Sequence, residues 1–310
     1  MECTSWENIP LDRRQLIWSL QKILSSLSMA SIAAVFGYVL YRHFKLQRRF
    51  TNPAERLMFF NLFPVFVRMI GGFIANDPWG TDPNNVNMPY CQAQTAFVEF
   101  GDMGCVVMGG VFARDLYTII HVFRGLGVTN SFTVEDLSRL FEKREKTYIV
   151  IAYLGGFASA ITSTLFAGPR DLWCWVRDID HPNPLARSHL ALIFFYAWMW
   201  IVMILSITVL LYAWCDVLLH KGDFRSMNDI RYGCIVAFSS VLLIDLVGWA
   251  FASANRFWTY ANPGCALLPL EALQAIITSS RGLFLVTAYY LLKVNEQFVE
   301  LEQVPEMADA

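Results

Sequence analysis

Arg68, Asp102, Asp245 and Arg281 each interrupt a stretch of sequence that is otherwise almost wholly apolar. Ionised side chains away from water are costly unless they are paired, so two cations and two anions in such surroundings predict internal ion pairs. The pairing expected is Arg68 with Asp102 and Asp245 with Arg281. Near Arg281, the residues Glu271, Gln274, Thr278 and Arg281 recur at intervals of three, four and three, which puts them along one face of a helix. That face must look inward. Thr95, Glu99 and Asp102 form a comparable set. With Trp249 and Phe97 as apolar walls, these residues predict a polar cavity facing outside. Its ligand-contacting set is Arg68, Glu99, Asp102, Asp245, Trp249, Glu271, Gln274 and Arg281. With Glu99 and Glu271 in the wall, a cation, a neutral sugar or an amphiphile is easier to hold than an anion.

Bond-making chemistry finds no matching constellation. His43, His121, His181, His189 and His220 are dispersed along the chain, whereas zinc needs several nearby nitrogen or oxygen ligands. No Ser/His or Cys/His pair falls at a matched depth. A retinal Schiff base needs a lysine deep in the last helix, and Lys293 lies at its inner end. The expectation is a non-enzymatic protein without metal or cofactor.

The elements that must position these residues follow from composition. The chain has 310 residues, 55% hydrophobic and 16% charged, well below the roughly 25% charged of a soluble domain. A net charge of -2 provides no basic field for nucleic acid. Seven segments, about 23–41, 57–76, 91–121, 147–167, 189–215, 232–253 and 265–292, meet the ~20 apolar residues that a bilayer crossing needs. Runs of this kind satisfy their backbone as helices. The predicted fold is an all-α membrane protein, a seven-transmembrane helix bundle over 23–293, with an outer segment 1–22 and a short acidic tail 294–310. The first helix reads as an uncleaved signal-anchor. Pro64 and Pro269 should bend the second and seventh helices, and Gly71-Gly72, Gly109-Gly110 and Gly155-Gly156 permit close packing. Residues 131–144 read as a short amphipathic helix in the second inner loop, capped by Thr133, with Leu137, Leu140 and Phe141 on one face.

Cations decide the orientation. One set of loops is rich in Lys and Arg, including Arg42, Lys143, Arg144 and Arg231, while the other holds Arg13, Arg14, Lys22, Arg170, Arg177, Arg187 and Arg256. The positive-inside rule then puts the N-terminus outside and the C-terminus inside. On that topology Cys91 and Cys174 both face an oxidising compartment, which predicts a bridge pinning the second outer loop over the bundle. Cys3 and Cys265 are a weaker second pair. The inner end of the third helix carries Ala113-Arg114-Asp115, followed by Tyr117 and His121.

Seven helices with Cys91 opening the third, Trp173-Cys174-Trp175 in the second outer loop and Arg281-Gly282-Leu283-Phe284-Leu285-Val286-Thr287-Ala288-Tyr289-Tyr290 in the seventh resemble the cAMP-receptor-like G-protein-coupled receptors. These comprise the slime-mould cAMP receptors and fungal relatives, themselves similar to secretin and adhesion receptors. The stretch from Arg48 to Arg68 and Asp136-Leu-Ser-Arg-Leu-Phe-Glu-Lys also look like fungal members. Where that family commonly has Gln-Gly, this chain has Arg281-Gly282. The resemblance implies a plasma-membrane receptor that couples an extracellular small molecule to a heterotrimeric G protein, with Arg42, Arg114, Lys143, Arg144 and Arg231 facing that partner. The competing expectation is a transporter that uses the buried charges for substrate or proton coupling.

Overall fold

Runs rich in Leu, Ile, Phe, Val and Ala form helices here because their backbone groups bond within the segment and their side chains need no water. The computed structural model describes residues 9–45, 53–74, 87–125, 134–170, 173–176, 195–219, 230–262 and 267–302. Among them run seven α-helices: α1 Leu11–Lys45, α2 Pro53–Phe73, α3 Met88–Gly125, α4 Val134–Thr164, α5 Ala197–Leu219, α6 Ile230–Ala261 and α7 Leu268–Glu302. Six of them, α1 to α6, contain segments long and apolar enough to cross a membrane. The polar side chains of α7, Glu271 to Arg281, lower its apolarity.

Several helices run past the spans that hydropathy alone predicts, α1 and α4 most clearly at their starts. α1 starts at Leu11, with Asp12 in its first turn, and its 35 residues span about 52 Å at 1.5 Å each, more than the ~30 Å of a bilayer core. Part of the expected outer segment is therefore helix, and Ile17 and Trp18 seat it against Ala275 of α7. α4 starts at Val134, so the expected separate loop helix is instead the beginning of the fourth helix. Its Phe141 is buried in the main core, while Thr133 lies outside the described residues. At the other end, α7 continues past Lys293 to Glu302.

Helix α3 runs through the middle, packed against α2, α4, α5 and α6, while α7 closes the bundle against α1, α2 and α6. Gly101 makes the α2–α3 contact possible. A Cβ there would fall 2.3 Å from Arg68 Cβ and 2.6 Å from the Pro64 carbonyl oxygen. Gly282 does the same for α7 and α1, where a Cβ would meet Ser28 Cβ at 2.7 Å. Beside it, Ser28 Oγ donates to the Ser279 carbonyl at 2.6 Å.

The two prolines differ in effect. Pro64 is inside α2 and cannot donate to the Phe60 carbonyl, which accepts a bond from Tyr153 Oη of α4 at 3.1 Å instead. Pro269 falls in the first turn of α7, where a helix needs no N–H, so the expected bend is replaced by a helix start.

Among the described residues, a departure from helix follows α4. Strands β1 Ala167–Arg170 and β2 Trp173–Val176 pair antiparallel, with Pro169 opposite Cys174 and Gly168 opposite Trp175. Trp and Val favour a pleated, half-buried strand. Pro169 has no N–H to give, and the Cys174 N–H turns away from it to Gln94 Oε1 at 2.9 Å.

Candidate functional site

Both expected ion pairs form inside the bundle. Arg281 of α7 donates from Nε and Nη2 to Asp245 Oδ1 of α6, at 3.0 and 2.5 Å. Arg68 Nε of α2 lies 3.5 Å from Asp102 Oδ1 of α3. The Arg281 guanidinium also sits over the Trp249 ring, 5.2 Å from its centroid. Since Asp245, Trp249, Ala252 and Arg256 recur at steps of four, three and four, α6 aims all of them at this interior.

A roof closes one end of this polar layer. Cys91 at the start of α3 is bonded to Cys174 of β2, with Cα atoms 4.8 Å apart. One turn along α3, Gln94 accepts the Cys174 N–H and donates to the Gly71 carbonyl of α2 at 3.3 Å. The next residue of β2, Trp175, turns inward. Its indole Nε1 donates to Glu99, whose other oxygen accepts from Ser159 Oγ of α4 at 2.9 Å. Phe195 and Tyr196 meet the indole edge-on, with centroids 6.0 and 5.5 Å away. Arg256 stacks its guanidinium 4.9 Å from the Trp175 ring and donates from Nε to Tyr196 Oη at 3.2 Å.

Between roof and ion pairs is a cavity of about 40 Å³, walled by Arg68, Gln94, Asp102, Trp175, Tyr196, Trp249, Arg256, Gln274 and Thr278 among others. A space of that size takes a few waters and is far below the roughly 300–1,000 Å³ of a drug-sized site. A smaller space of about 10 Å³ lies next to it, bordered by Cys105, Gly109, Asp245 and Trp249.

The structure thus gathers Arg68, Asp102, Trp249 and Gln274 of the expected set on the main cavity wall. Asp245 and Arg281 pair beside it. Glu99 is buried but occupied by Trp175 and Ser159, and Glu271 is buried without lining the cavity. Phe97 is 36% exposed and forms no wall. These displacements reverse the expected charge: the wall carries Arg68 and Arg256 against Asp102, so a neutral ligand or an anionic head group is favoured over a cation. The residue missed most clearly is Arg256, 1% exposed, which the loop census counts as an outer cation. Its spacing from Trp249 on α6 was the signal that could have found it. Gln94, Trp175 and Gln21 of α1 are further wall residues outside the expected set.

At the opposite end, the expected partner-facing residues part company. Arg42 Nη1 pairs with the buried Glu55 of α2 at 2.8 Å, and Tyr289 Oη of α7 donates to the same oxygen at 2.8 Å. Arg42 is therefore a strut joining α1, α2 and α7 as much as a surface cation. Arg56 and Glu145 likewise tie α2 to α4. Arg114 is exposed and lies over the Tyr148 ring at 4.8 Å, while its neighbour Asp115 is buried. Arg144 is exposed on α4. Lys143 and Arg231 lie on α4 and α6, but their side chains are outside the described residues, as are Cys3 and Cys265. No protein-family model and no curated protein matches this chain.

Proposed function

We propose that this chain is a seven-span plasma-membrane receptor, N-terminus outside and C-terminus inside, that passes the signal of an extracellular small molecule to a heterotrimeric G protein. The observation that carries the reading is the pair of buried ion pairs bordering a polar cavity under a disulfide-held roof. What supports α7 as a seventh crossing is the direction of its polar residues: Glu271, Gln274, Thr278 and Arg281 are all buried in the bundle, leaving its other faces to lipid.

A ligand that competes for Arg68, Asp102 or Gln274 weakens one arrangement of these ion pairs and favours another. Because the pairs join α2 to α3 and α6 to α7, their rearrangement moves helices relative to one another. At the inner end the Arg42–Glu55–Tyr289 contact restrains α1, α2 and α7, and its release would uncover a surface for the partner. Arg114 and Arg144, both exposed, are the cations we assign to that surface, with Lys143 and Arg231 of α4 and α6 as further candidates.

The test is nucleotide exchange on G proteins reconstituted with wild type, Asp245→Asn and Arg281→Gln at equal surface amounts. Both variants should shift basal or ligand-driven exchange. Unchanged exchange in both would remove the ion pairs from the mechanism, and substrate accumulation in vesicles without any G protein would replace the receptor with a transporter.

A further inference from the structure

We infer that the pocket around Trp175 is the recognition subsite of this receptor, that it takes a planar aromatic of indole size bearing an N–H donor, and that the chain here fills it with its own side chain. The inference rests on the receptor reading and specifies its ligand. The pocket contains every element of aromatic recognition. Glu99, 1% exposed, accepts the indole N–H; Arg256 covers the ring face at 4.9 Å; Phe195 and Tyr196 offer ring edges at 6.0 and 5.5 Å. Edge-to-face contacts and a cation over the face are the arrangements an aromatic ring favours.

The occupant differs from its surroundings. Glu99 and Arg256 stand on the long helices α3 and α6, whereas Trp175 stands on a two-stranded hairpin. The indole also walls the main cavity, so its departure joins the two spaces and makes room that the present 40 Å³ does not offer. The hairpin is held to α3 at Cys174, by the disulfide and by Gln94, so the next residue can withdraw its side chain without dismantling a helix. An external aromatic that supplies its own N–H to Glu99 replaces the contact Trp175 gives up, and the emptied cavity beyond the ring accommodates the rest of the molecule.

The probe is free indole, added to full-length protein in lipid nanodiscs with the disulfide intact. The Trp175→Gly variant should bind indole saturably and unfold at higher temperature in its presence. 1-Methylindole, which has no N–H for Glu99, should not reproduce the shift. Wild type should bind indole roughly tenfold or more weakly than Trp175→Gly, because a tethered competitor acts at about millimolar effective concentration. Trp175→Phe keeps the ring packing but offers Glu99 no donor, so its indole affinity should exceed that of wild type. Absence of saturable binding by Trp175→Gly, or equal binding of 1-methylindole, overturns the inference. If Trp175→Gly does not fold, wild-type affinity in Trp175→Phe overturns it equally. Nucleotide exchange is read separately: indole binding that alters exchange supports both readings, whereas indole binding without exchange in any variant retains the subsite and sinks the receptor.

Discussion

Arg281 gives two hydrogen bonds to a single oxygen of Asp245, and that economy makes each residue dependent on the other. Removing one partner leaves a buried charge alone, so Arg281→Gln should cost about 3–5 kcal/mol of stability. Adding Asp245→Asn should recover part of that loss, which thermal unfolding of the single and double variants in detergent will show. Tyr153 has a different duty, supplying the bond that Pro64 denies to the Phe60 carbonyl. Tyr153→Phe orphans that carbonyl and should cost about 1–3 kcal/mol in the same measurement. Residues of the first kind were legible in the sequence, because a charge inside an apolar run has few ways to survive. Arg256 and Trp175 were not. The first sits near a helix end and reads as a loop cation until its face on α6 is followed, and the second is aimed by the pairing of two short strands that no period announces.

Helix packing depends on α3, whose backbone comes within contact of α2 at Gly101. Gly101→Ala should destabilise by about 1–3 kcal/mol, since the added methyl meets backbone that cannot move aside. Gly37 on α1 has nothing within 4 Å of its Cβ position, so Gly37→Ala should be neutral or stabilising by up to about 1 kcal/mol. The contrast between the two melting temperatures isolates packing from helix propensity. Hydropathy located the helices but misjudged where α1 and α4 begin, because a helix continues as long as its backbone bonds do, whether or not its side chains are apolar. The initial turns of α1 carry Asp12, Arg13 and Arg14 and still pack on α7 through Ile17 and Trp18. The hairpin escaped for a similar reason: four-residue strands are too short to register as alternation.

The whole molecule is built with its polarity reversed. Glu99, Arg256, Glu271 and Arg281 are at most 5% exposed, while Trp198, Ile204 and Leu211 of α5 and Leu154 and Ile161 of α4 are more than half exposed. Such a surface suits lipid and not water. The helical, multi-span character was therefore readable from composition, whereas the size of the cavity and the sign of its wall needed side-chain packing. If the proposed orientation holds, a tag on the amino end will be reached by antibody on intact cells and one on the carboxyl end after permeabilisation; the reverse pattern would overturn it. The disulfide has a further consequence for the chain as a covalent object. Cys91 and Cys174 are 83 positions apart, and everything between them, including most of α3 and all of α4, forms a closed ring of bonds. A single cut by a protease anywhere within that ring leaves one molecule of unchanged mass, apart from the water added, until a reductant is supplied. Two bands should then separate on a gel where one ran before.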